Sequence, residues 1–173
     1  GYIWDDDAHI TENQLLKSPD GLMKFWLDPQ SVSTRQVYPL TFSTFWLEYQ
    51  LWEDNPAGYH IVNVVLHCLS ALLIWIILLR CNIPGAWMAA CIFALHPVHV
   101  ESVAWITERK NVLSGLLYLL SFFSYIEFSD KGKTRWYVFS ILFYALALTA
   151  KTTACSLPVA LLIYNWWRAG TVT

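Results

Sequence analysis

The run from Tyr59 to Arg80 constrains this chain more than any other feature. It holds no Asp, Glu, Lys or Arg before Arg80 itself. At roughly 22 residues it is long enough to cross a hydrocarbon core of about 30 Å as a helix. Further apolar stretches follow at about 86–106, 111–128, 136–150 and 154–168. The chain is 56% hydrophobic and 14% charged, whereas soluble domains average about 45–50% and about 25%. The excess lies in runs, so the expected class is an integral membrane protein. Ten tryptophans and nine tyrosines suit that class, because amphipathic rings favour the membrane–water interface.

The expected fold is all-α: a polytopic transmembrane helical bundle with juxtamembrane amphipathic helices. Residues 1–58 are expected to form an extracytoplasmic acidic loop and those juxtamembrane helices, with Tyr38-Pro39-Leu40 introducing one over 41–52. Residues 59–173 are expected to form the transmembrane region. The chain opens on Gly1-Tyr2-Ile3-Trp4 with no Met, and is read as a fragment of a longer protein. Net charge is −2 and no basic stretch interleaves with aromatics, so nucleic acid is not an expected partner. Cys68, Cys81, Cys91 and Cys155 all lie in or beside apolar segments and are read as small apolar residues.

The polar interruption is Phe93-Ala94-Leu95-His96-Pro97-Val98-His99-Val100-Glu101, continuing to Glu108-Arg109-Lys110-Asn111. Polar groups at a membrane boundary are costly to bury and are usually there for function. The His-Pro pair is expected to end or kink the second span. His96, His99 and Glu101 could ligate zinc or manganese, or could form a polar network holding two helix ends together. Their HxxHxE spacing is not the HExxH of metalloproteases. Arg109 and Lys110 either snorkel to the interface or bind phosphate, which a guanidinium does with a fork of hydrogen bonds. Lys151 interrupts two apolar runs and needs an anion, a carbonyl cage or water. His60, Asn63 and His67 fall on one helical face and read best as an interhelical hydrogen-bonded stripe.

A second acidic cluster, Asp5-Asp6-Asp7, follows Trp4. It is either a solvated loop or helix cap, or a source of a general base or metal-binding carboxylate. Counting alternate spans puts this cluster, the 96–111 stretch and Lys151 on one side of the membrane. Arg80, Lys131, Lys133, Arg135 and Arg168 fall on the other side, which the positive-inside rule assigns to the cytoplasm. The acidic site is therefore expected on the periplasmic or lumenal side.

Taken together, these motifs resemble the amino-terminal membrane region of the transmembrane and tetratricopeptide repeat-containing O-mannosyltransferase-like family, polytopic glycosyltransferases of the GT-C type. The resemblance is carried by Trp4-Asp5-Asp6 with Ile10 and Asn13, by Tyr38-Pro39-Leu40, and by Gly58-Tyr59-His60 with Asn63, Leu66 and His67. It continues through Phe93-Ala94-Leu95-His96-Pro97-Val98-His99 with Glu101, Val103, Arg109 and Leu113, and through Ala147-Leu148 with Lys151. The matches run in order along nearly the whole chain. Asn111 stands where animal members often carry Asp, and Thr152 where many carry Glu.

That resemblance implies sugar transfer, with mannose as the sugar, from a polyprenyl-phosphate donor to an acceptor such as a protein Ser or Thr. It implies Asp5 and Asp6 as the catalytic pair, with Asp6 the first choice for the base. It implies His96, His99, Glu101, Arg109, Lys110 and Lys151 as substrate-binding residues. The membrane would be a bacterial inner membrane or the endoplasmic reticulum membrane, and a carboxy-terminal repeat array would follow. The cofactor is unknown; a divalent metal is not required. Two other readings remain open: a transporter or channel using the His60/Asn63/His67 stripe with Lys151, and a non-catalytic anchor for a repeat domain.

Overall fold

The computed structural model describes residues 1–4, 6–28 and 38–169, and every regular element among them is helical. A single π-helical turn, Asp7–Thr11, leads into α1 (Gln14–Lys17) and α2 (Gly21–Leu27). Then come α3 (Pro39–Trp52), α4 (Pro56–Arg80), α5 (Ala86–Leu95) and α6 (Val100–Ala104). The chain finishes with α7 (Arg109–Lys131), α8 (Thr134–Ala150) and α9 (Leu157–Ala169).

Local chemistry sets most boundaries. Asn13 caps α1 by accepting from the Leu15 N–H at 3.1 Å, and Asn55 caps α4 by accepting from Ala57 at 3.1 Å. Pro39 and Pro56 sit in the first turns of α3 and α4, where a missing N–H costs nothing. Gly132 ends α7 at φ 63°, a left-handed cap that glycine adopts without steric cost. The helix through α5 stops at Leu95 because Pro97 forces His96 into an extended conformation, ψ 129°. A 3-10 turn, Pro97–His99, then leads to α6, and the two halves are bent by 48°.

Two continuous helical stretches, Pro56–Arg80 and Ile106–Lys131, are each long and apolar enough to cross a membrane, and the bent pair Ala86–Leu95 with Pro97–Ala104 makes a third if it is one span. Helix α8 is apolar but shorter. The 13 residues of α9 reach only about 20 Å. Large apolar side chains cover the outside of these helices, among them Ile61, Trp75, Trp87, Ile92 and Phe139. Such a surface belongs against lipid rather than water, and the chain is an integral membrane protein.

Helix α7 is central, packed between α4 and α8. Its contact with α8 uses small residues. Ser121 Oγ donates to the Ser140 carbonyl at 2.7 Å, and Ser140 Oγ returns a bond to the Ser121 carbonyl at 3.0 Å. Close approach of small residues, sealed by hydroxyls, is how helices associate where lipid removes the hydrophobic drive.

The amino-terminal helices have their own core. Ile10, Leu16, Phe25, Phe42, Phe45, Tyr59 and Ile106 form one buried cluster. Trp46 donates to the Ser18 carbonyl at 2.9 Å and Trp26 to Ser43 Oγ at 2.9 Å, so the indole N–H groups are satisfied. Helix α3 turns Phe42 and Phe45 inward while Leu47 and Leu51 face outward. This cap sits on the ends of α4 and α7 and carries the acidic segment to them.

Candidate functional site

The polar groups gather at the end of the bundle where α4 begins, α6 meets α7 and α8 ends. Asp6 is fully buried. Its Oδ1 accepts from the Thr107 N–H at 2.9 Å and its Oδ2 from the Ile3 N–H at 3.0 Å. The carboxylate therefore docks the acidic segment onto the short turn between α6 and α7. Asp5, its neighbour in the motif, lies outside the described residues. Asp7 is exposed, and its Oδ1 accepts from the Thr11 hydroxyl at 3.3 Å. Burial and the charges of Asp54, Asp6 and Asp7 push the nearby Tyr2 phenol up to about 12.

Arg109 is completely buried. It forks onto Glu48, with NH2 to Oε2 at 3.1 Å and NH1 on Oε1. It also donates to the Tyr59 carbonyl at 2.9 Å and, through Nε, to Asn63 Oδ1. The Phe45 ring lies 5.3 Å from the guanidinium carbon. Asn63 in turn donates to the Trp105 carbonyl at 3.0 Å and the Val103 carbonyl at 3.3 Å. One arginine thus binds α3, α4 and the α6–α7 turn together. Burial raises the Glu48 carboxyl above its ordinary value, and the Arg109 hydrogen bonds and charge pull it back only in part. Glu48 was not among the expected site residues. The signal was present: it is the single charged residue of α3.

A separate chain of polar contacts holds both lysines. Lys110 pairs with Glu108 at 2.8 Å. Asn111 Nδ2 donates to the other Glu108 oxygen and to Ser102 Oγ, the latter at 3.2 Å. Asn111 Oδ1 accepts from Lys151. Lys110 is thus neutralised by a carboxylate, whereas Lys151 meets only a neutral amide among the described residues. Lys151 lines a cavity of about 290 Å³ with Ser114, Tyr118, Thr153 and Ser156. Lys151 sits there because α8 ends at Ala150 and residue 151 turns extended, φ −161°.

A second cavity, of about 350 Å³, shares Asn111, Gly115 and Tyr118 with the first and reaches His67 and His99. The histidines cluster around Phe93. Its ring centroid is 4.4 Å from that of His99 and 4.9 Å from that of His67. His96 lies 6.5 Å from His99 between ring centroids, and its Nδ1 accepts from the Val98 N–H at 3.2 Å, capping the 3-10 turn. His67 contacts the Ala94 carbonyl at 3.2 Å. Glu101 is exposed and faces a different cleft, beside Ile3, Trp4 and Trp105. The structure thus brings His96 and His99 together, and Lys110 and Lys151 into one network, but leaves Glu101 apart from both. Among the described residues no group of three or more His, Cys, Asp or Glu is placed to hold a metal ion. The Asn63 and His67 donors are taken up by backbone carbonyls of α5, α6 and the turn after α6, the interhelical role expected of that stripe, whereas His60 contacts the Gly1 carbonyl at 3.3 Å instead of a neighbouring helix.

Residues 37–172 match the family described as dolichyl-phosphate-mannose-protein mannosyltransferase. Curated relatives agree. The chain is 32% identical to protein O-mannosyl-transferase TMTC3 of Mus musculus over 163 residues, covering 90% of this chain and 18% of that protein. It is 32% identical to protein O-mannosyl-transferase Tmtc1 of Drosophila melanogaster over 164 residues, covering 89% and 19%. It is 41% identical to protein O-mannosyl-transferase TMTC1 of Mus musculus over 108 residues, covering 59% and 11%. The chain spans less than one fifth of the length of these relatives. No solved structure matches it. By the match over residues 37–172, the chain belongs to the dolichyl-phosphate-mannose-protein mannosyltransferase family.

Proposed function

We propose that this chain forms the donor-binding part of a membrane O-mannosyltransferase, which moves mannose from a polyprenyl-phosphate carrier to a Ser or Thr hydroxyl of a protein. The observation that carries this reading is Lys151. It is a cation set among hydroxyls, aimed by Asn111, with no carboxylate partner among the described residues. Such a group suits an anionic ligand.

In the reaction, the acceptor oxygen attacks the anomeric carbon and its proton passes to a carboxylate. The bond from that carbon to the phosphate oxygen breaks, and the lipid phosphate leaves with the electron pair. Lys151 stabilises the charge that develops there. The Asp5–Asp6 pair supplies the base. Asp6 is docked on Thr107, so within the pair Asp5 is the residue assigned to meet the acceptor. Arg109 orders the site through Glu48 and Asn63, and Lys110 is balanced by Glu108. His96 and His99 shape the wall of the donor cavity. The acidic site faces the periplasm or the lumen.

The test is to incubate the full-length protein with lipid-linked mannose and acceptor peptides and to look for added hexose by mass spectrometry. Hexose on Ser or Thr, lost in Asp5→Asn and much reduced in Lys151→Met, is the expected result. Normal transfer by Asp5→Asn, Asp6→Asn, the double variant and Lys151→Met together would sink the site assignment.

A further inference from the structure

The end of the bundle remote from Lys151 carries a charge imbalance that the proposed reaction does not use. Helix α7 has 23 residues and so rises roughly 35 Å from Arg109 to Lys131. At its far end five cations gather: Arg80, Lys131, Lys133, Arg135 and Arg168. The carboxylates there are Glu127 and Asp130. Glu127 is buried and pairs with both Arg80, at 2.9 Å, and Lys131, while Asp130 pairs with Arg168. Lys133 and Arg135 are exposed and form no ion pair among the described residues.

Those two cations occupy an awkward place. They flank the start of α8, where Lys133 is the cap residue and offers no side-chain acceptor to the first turn. The amino-terminal end of a helix dipole is itself positive, so cations there are unfavourable. Trp136 meets Phe123 of α7 edge-on, with ring centroids 6.4 Å apart. The Lys131 ammonium is 5.6 Å and the Arg135 guanidinium 5.5 Å from its ring centroid. Its indole N–H is buried and has no acceptor among the described residues. This cluster stands at the level where an apolar span ends and another apolar helix begins, with the exposed Tyr137 and Phe139 beside it. Unpaired cations, an aromatic anchor and uncapped N–H groups at a membrane boundary call for one kind of ligand: an anion carried by the bilayer.

We propose that the α7–α8 turn binds the phosphodiester headgroup of an anionic phospholipid through Lys133 and Arg135. Juxtamembrane basic residues attract anionic lipid by additive contributions near the surface. The site lies on the face of the membrane opposite the Lys151 cavity and does not depend on the sugar-transfer reading.

The experiment is native mass spectrometry of the full chain released from nanodiscs of phosphatidylcholine with a fraction of phosphatidylglycerol. Wild type should retain phosphatidylglycerol in preference to phosphatidylcholine. The exposed double variant Lys133→Gln/Arg135→Gln should lose about 30-fold of that preference, roughly fivefold for each cation. The charge-conserving Lys133→Arg/Arg135→Lys variant should keep it, with helix content unchanged by circular dichroism in each. An unaltered preference in the glutamine variant would overturn the proposal. So would an equal loss on replacing Lys17 and Lys24 of the amino-terminal cap, which would mean general charge attraction. Displacement of the lipid by millimolar inorganic phosphate would instead mark a site for a soluble anion, and would also refute it.

Discussion

Asp6 and Thr107 lie 101 residues apart in sequence, yet the Asp6 carboxylate accepts the Thr107 N–H at 2.9 Å with both groups buried. This bond helps fasten the acidic segment to the turn from which α7 starts. Removing the acceptor takes a hydrogen bond from a buried N–H, which costs about 1–3 kcal/mol. Asp6→Ala should therefore lower the thermal unfolding midpoint in detergent. Asp6→Asn keeps one oxygen and should lose less. Equal midpoints for wild type and Asp6→Ala would show that the bond contributes nothing.

The Glu48–Arg109 pair should behave as a buried charge pair. Truncating one partner strands the other charge, at a cost of about 3–5 kcal/mol. Arg109→Met and Glu48→Leu should each be strongly destabilising, while the double variant recovers much of the loss. Arg109→Lys should also destabilise, because an ammonium cannot fork onto both carboxylate oxygens. A double-mutant cycle in detergent-solubilised protein measures the coupling, and simple additivity would contradict the fork.

Glu48 also gives a pH dependence. Its carboxyl is raised above its ordinary value in the fold, burial outweighing Arg109. The folded state thus holds its proton to higher pH than the unfolded chain does. The associated stability is complete below the unfolded value and is lost as pH climbs through the folded one. The midpoint of wild type relative to Glu48→Gln should fall as pH rises from the unfolded value through the folded one. A flat difference across that range would exclude the shift.

Lys151 and Lys110 should separate in kinetics. A charged hydrogen bond of the kind assigned to Lys151 corresponds to about 10–100-fold in binding. Lys151→Met should raise KM for the lipid-linked donor by that factor, and Lys110→Met should change it little because Glu108 already holds that charge. Matching losses in the two variants would contradict the assignment.

Gly58 packs against the Trp52 ring. A Cβ at this position would lie 2.3 Å from Trp52 Cδ2, so Gly58→Ala must displace the indole or the start of α4. Overpacking of this kind costs about 1–3 kcal/mol. A lowered midpoint with a shifted tryptophan emission is expected; an unchanged midpoint would mean that the ring moves freely.

What could be read from the chain itself was whatever depends on near neighbours in sequence. Apolar run length announces helices such as Pro56–Arg80. Proline after His96 stops a helix, and Gly132 closes another. Alternation of spans also brought the acidic cluster, the 96–111 stretch and Lys151 to one end. Partner choice was decided only by the fold. Arg109 offered itself as a phosphate ligand, but its donors are occupied by Glu48, 61 residues earlier, and by Asn63, 46 residues earlier. Lys110 and Lys151 look alike in sequence, and only packing gives one a carboxylate and the other an amide. Hydropathy and turn chemistry act over a few residues, so sequence carries them directly. Whether a buried charge is balanced depends on which side chains the tertiary structure brings within about 3 Å, and those partners lie tens of residues away.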